Sequence, residues 1–129
     1  MNANELMIGD FVAIGGLNMQ IAALGTKKAG FLDNKGDMFY HNYEVIDAIP
    51  LTAEILKNNF FEEGETNGDK FFYWENANHI LTVQQTDNRW RIVIDFETIV
   101  REPDTYEINY LHELQHALKL SRTFIYLEP

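Results

Sequence analysis

The sequence predicts an α+β chain: an N-terminal SH3-like small β-barrel over residues 1–50, then, over residues 51–129, an antiparallel β-meander packed against a C-terminal helix. Three observations predict it. Short apolar runs broken by turn residues fill the N-terminal part, as in small barrels and twisted sheets. Trp90, Ile92, Ile94 and Phe96 alternate with Arg91, Val93 and Asp95, which gives a strand one consistently apolar face. Ile108, Leu111, Leu114 and Leu118 recur at the spacing of a helix with one buried stripe.

Taken in order, Phe11-Val12-Ala13-Ile14 ends at Gly15-Gly16, Met19 to Leu24 ends at Gly25, and Phe31-Leu32 runs into Asp33-Asn34-Lys35-Gly36-Asp37. Extended segments are expected again at Met38-Phe39-Tyr40 and from Glu44 to Ile49. Strands of about five residues with short turns suit an SH3-like barrel. Pro50 closes the region. Thr52 is placed to cap a short helix, Ala53 to Asn58, with Glu54 at the positive end of its dipole. Asn58-Asn59 suit the helix C-terminus, and Phe60-Phe61 are expected to tuck under the next element. The polar, Gly-containing stretch from Glu62 to Asp69 reads as an exposed loop. Strands follow at Phe71 to Trp74, Ile80 to Gln85 and Trp90 to Phe96. A helix is expected from Tyr106 to about Leu120, and a last extended piece from Thr123 to Leu127.

Composition narrows the function. Hydrophobic residues make up 46% of the 129, enough for a packed core. No apolar run approaches the roughly 18 residues of a membrane span, and Met1-Asn2-Ala3-Asn4-Glu5 has no signal-peptide character, so a cytoplasmic location and no membrane partner are expected. With no cysteine, thiol catalysis and disulfides are excluded, and any metal would rest on His, Asp and Glu. A net charge of −10 opposes binding to nucleic acid, whose affinity comes from Lys and Arg releasing counterions. No Gly-rich phosphate cradle is present.

His112-Glu113-Leu114-Gln115-His116 matches the helix of a zinc peptidase. Two His four residues apart share a helix face, and the Glu beside the first would take the proton from metal-bound water. Against this, two His leave a zinc site incomplete. The chain after the motif offers no third His, and Glu128 is its sole acid. Upstream, nothing places His41 or His79 nearby. The expectation is therefore no catalytic residue and no cofactor, the alternative being a zinc-dependent hydrolase with His112 and His116 as ligands and Glu113 as general base.

The chain resembles a group of uncharacterised proteins common in Bacteroidetes genomes, often within prophages and other mobile elements. The resemblance rests on Asn4-Glu5-Leu6-Met7-Ile8-Gly9-Asp10-Phe11-Val12, on Ile49-Pro50-Leu51-Thr52-Ala53-Glu54-Ile55-Leu56 and on Tyr110-Leu111-His112-Glu113-Leu114-Gln115, in the same order as in the group. In the group the last motif reads Tyr, an aliphatic residue, His, Gln, Leu, Gln, Asn. Glu113 and His116 are therefore departures in this chain, and the resemblance implies that the zinc-like pattern is incidental. It implies a genomic setting and no mechanism.

Two smaller features complete the reading. His41 between Tyr40 and Tyr43 offers a stacking surface for a base or peptide, or else a half-buried barrel wall. Asp95 and Glu97 share a strand face, the least that a carboxylate pair requires. The expected function is a non-enzymatic binding module encoded by a phage or mobile element. Its partner is another protein, with a small molecule or nucleotide as the further option.

Overall fold

The computed structural model describes residues 1–76, 79–86, 89–96, 104–123 and 125–129, without the Phe96 side chain. The chain is α+β: among the described residues, two five-stranded antiparallel sheets and two α-helices. It divides into two compact units. Met1–Pro50 groups with Tyr110–His112 and Pro129, and Leu51–Asn109 groups with Glu113–Glu128. None of the described helices is long and apolar enough to cross a membrane.

The first unit holds β1 (Phe11–Ile14), β2 (Leu17–Leu24), β3 (Lys28–Leu32), β4 (Met38–Asn42) and β5 (Asp47–Ala48), in the order β4-β3-β2-β1-β5. Gly15 and Gly16, with φ of 58° and 82°, form the two-residue turn that matches strand twist between Ile14 and Leu17. A 3-10 turn, Tyr43–Val45, leads from β4 to β5. Alternation sends Val12, Ile21, Ala29 and Phe31 into one buried cluster with Leu6, Tyr43 and Ile46. The end strands β4 and β5 do not pair with each other, so the sheet is open.

The second unit begins with α1 (Ala53–Asn58), capped by Thr52, whose hydroxyl oxygen accepts from the Ile55 amide at 3.2 Å. Then come β6 (Glu62–Thr66), β7 (Asp69–Glu75), β8 (His79–Thr86), β9 (Arg89–Phe96) and β10 (Asp104–Glu107), in the order β10-β9-β8-β7-β6. Phe72, Leu81, Val83, Trp90, Ile92 and Ile94 are buried, as the alternation requires. Helix α2 spans Leu111–Leu120, and Leu114, Ala117 and Leu118 form its buried stripe within this unit. Its end is tied to β10 by the Ser121 hydroxyl, which donates to Asp104 at 2.9 Å.

Three elements differ from the sequence reading. Glu62 to Asp69 is not a loop: β6 pairs with β7 across a turn in which Asn67 and Gly68 take φ of 55° and 85°. Asn-Gly is the dipeptide that such hairpin turns favour, but a strand polar on both faces shows no alternation. The C-terminal helix starts at Leu111, five residues later than expected from Tyr106, because Asp104–Glu107 pairs with β9. Among the described residues from Thr123 to Leu127 there is no strand, and Phe124 lies outside them.

Candidate functional site

The zinc-like motif opens α2. His112 is 4% exposed and its ring stacks on Tyr110, with centroids 5.9 Å apart and planes 17° from parallel. Glu113 accepts from the Asn109 amide at 2.9 Å, as first-turn carboxylates do for the open amides of a helix start. Asn109 in turn accepts from the Trp90 amide at 3.4 Å. His116 is half-buried. Among the described residues, no three of His, Asp and Glu gather as a metal-binding group.

Tyr40, His41 and Tyr43 do not form one surface. Tyr40 is 58% exposed on the outer side of β4. Alternation turns His41 to the opposite side, edge-on to Phe31 at 5.8 Å and to Phe39 at 5.5 Å. Tyr43 is buried, and its hydroxyl donates to the Gly25 carbonyl at 2.6 Å. Tyr40 instead joins Met38: both side chains close over Gly30, where an added Cβ would lie 2.9 Å from Met38 Sδ and 3.0 Å from Tyr40 Cε1. Asp95 is half-buried, and Glu97 lies outside the described residues.

The second unit carries a cleft that the sequence reading did not foresee. Phe60, Glu62, Tyr73, Trp74 and Glu75 line a space of about 200 Å³. Its position follows from how α1 ends. The amides of Phe60 and Phe61 donate to the carbonyls of Lys57 and Leu56 at 3.1 and 3.0 Å, the paired bonds of a Schellman motif. That motif holds Phe60 at φ 68° and turns it out, 84% exposed, while Phe61 goes in, 3% exposed. The sequence alone leads one to expect both rings to tuck in. The left-handed residue is Phe60 and not Asn59, whose φ is −101°, and the reversal there sends the two rings in different directions.

The cleft has a net negative lining. Tyr73 donates to Glu62 at 2.6 Å, and this bond, reinforced by the charges of Glu62 and Glu75, holds the phenol above its ordinary pKa. Glu63 is a neighbour in sequence but serves otherwise. It bridges Lys57 at 2.9 Å and Lys70 at 3.3 Å, and hydrogen bonds from the two ammonium groups lower its pKa. A second, larger cleft of about 460 Å³ is lined by Gln84, Thr86, Arg89, Trp90, Arg91 and Glu107, with Arg89 paired to Glu107 at 3.7 Å.

Comparison with protein-family models, with curated proteins and with solved structures gave no match.

Proposed function

We propose that this chain is a non-enzymatic binding module, phage or mobile-element encoded, whose partner is another protein. One observation carries the reading: among the described residues, the outer edge of β4 has no neighbouring strand. Its residues, Met38-Phe39-Tyr40-His41-Asn42, include no Lys, Asp, Glu or Pro. Exposed edges are ordinarily blunted by charge or proline, since their open N–H and C=O groups recruit any extended chain. An uncharged edge beside the exposed side chains of Met38, Tyr40 and Leu32 suits strand addition, with backbone bonds for affinity and side-chain contacts for selectivity.

The strand order β4-β3-β2-β1-β5, with a 3-10 turn before the last strand, supports reading this unit as SH3-like. In the second unit, the buried stripe of α2 and its bond to β10 support reading that helix as the cover of the meander.

The test is selection of a random peptide library on the purified chain, followed by hydrogen exchange of the complex. Enriched peptides should be extended, should slow exchange of β4 amides, and should lose binding to the Met38→Lys, Tyr40→Lys double variant. Failure to enrich any peptide, or binding that leaves β4 exchange untouched, would overturn the reading.

A further inference from the structure

The cleft at the start of β6 is a built feature, and its chemistry specifies an occupant. Phe60 sits at the position after the α1 cap where glycine is the residue without steric penalty. Its ring contributes little burial, being 84% exposed, so packing does not account for a bulky residue there. Together with Tyr73 and Trp74 it supplies aromatic surface, and Glu62 and Glu75 supply charge. No cation among the described residues pairs with either carboxylate. Both lysines of the neighbouring network, Lys57 and Lys70, bridge Glu63, and the Glu62 carboxylate is engaged through one oxygen by a neutral phenol. Glu75 has no cationic partner among the described residues.

We propose that this cleft binds the basic side chain of a partner protein, a guanidinium or ammonium group. Aromatic surface attracts such cations through the ring quadrupole, and arginine, being weakly hydrated and planar, stacks on rings while meeting carboxylates. A divalent metal is a poorer match, because it seeks six or more oxygens. The backbone adds a second element of recognition. Pairing of β6 with β7 stops at Glu62 and Tyr73, so Trp74 and Glu75 run on with no described strand on that side. A partner segment lying along them would carry its basic side chain into the cleft. The chain's net charge of −10 draws a basic partner from a distance.

This rests on the reading of the chain as a protein-binding module, and its test is independent of the β4 edge. The full-length, isotope-labelled chain is titrated with N-acetyl-arginine amide and, separately, with its neutral isostere N-acetyl-citrulline amide. The arginine compound should shift the amides of Tyr73, Trp74 and Glu75 and the Trp74 indole, saturably, and the citrulline compound should not. Phe60→Gly and the Glu62→Gln, Glu75→Gln double variant should each weaken the response about tenfold, with spectra otherwise those of the folded chain. Equal binding of citrulline, absence of binding, or undiminished affinity in folded Phe60→Gly would overturn the proposal. Loss here with peptide binding at β4 intact removes the cleft alone, whereas loss at β4 alone removes the edge reading.

Discussion

Phe60 holds a left-handed backbone conformation that costs a non-glycine residue about 1 kcal/mol, and its exposed ring recovers little of it. Phe60→Gly should therefore stabilise the chain by about 0.5 kcal/mol, after allowing for glycine's larger unfolded-state entropy. Urea unfolding would show a higher midpoint at unchanged slope, and a lower midpoint would mean that the ring packs. The two histidines of α2 should behave unequally. His112→Ala empties a buried, stacked position and should cost about 2 kcal/mol, whereas His116→Ala, at a half-buried position, should cost about 0.5 kcal/mol or less. A zinc pair would instead lose metal equally in both variants, which elemental analysis beside the unfolding curves would reveal. At this scale the sequence was legible where one residue type has one local use, as with Thr52 capping α1. It was illegible at Phe60, because the direction of that ring is set by the helix end before it.

The β6–β7 hairpin shows what governs an element. Gly64 lies opposite Phe71, and a Cβ built on Gly64 would collide with that ring. Gly64→Ala should require the half-buried Phe71 ring to swing aside and so should forfeit the roughly 0.5–1 kcal/mol that alanine ordinarily gains over glycine within a strand, leaving the thermal or urea midpoint close to that of the parent chain. The network of Lys57, Glu63 and Lys70 ties α1 to the same hairpin and adds a pH dependence. Because the Glu63 pKa is lowered from 4.5 by its two lysines, its contribution is present above 4.5 and lost as pH falls through the folded value. Glu63→Gln should accordingly flatten the acid side of the stability profile below about pH 4.5 and leave its shape near neutrality unchanged. Strands β7, β8 and β9 were legible because each has one apolar face. The edge strand β6 buries neither face and left no such pattern. β10 was hidden differently: Ile108 falls three residues before Leu111, in helical phase, yet its amide donates to the Trp90 carbonyl at 2.8 Å and continues the ladder.

For the whole chain, the α+β class followed from the two kinds of periodicity, and it holds. The grouping of Tyr110–His112 with the first fifty residues is another matter. No linker or change of composition marks it; it rests on the bridge between Pro50 and Tyr110 and on the Leu111 amide donating to the Ile49 carbonyl at 2.9 Å. Leu111 is fully buried, so Leu111→Ala should cost about 3 kcal/mol, and exchange of the β1 and β5 amides should quicken although the mutation lies far along the sequence. The edges of the two sheets differ in one more respect. β4 is uncharged, whereas β6 carries Glu62, Glu63 and Glu65, β10 carries Asp104 and Glu107, and β5 has only two residues. In the terms of polymer chemistry the β4 edge is a single reactive end group. Among the described strands β4 is the end that suits another copy of this acidic chain, the stretch at Trp74 and Glu75 being acid-lined and suited to a basic segment, so concentrated protein should stop at pairs and should not propagate into fibrils.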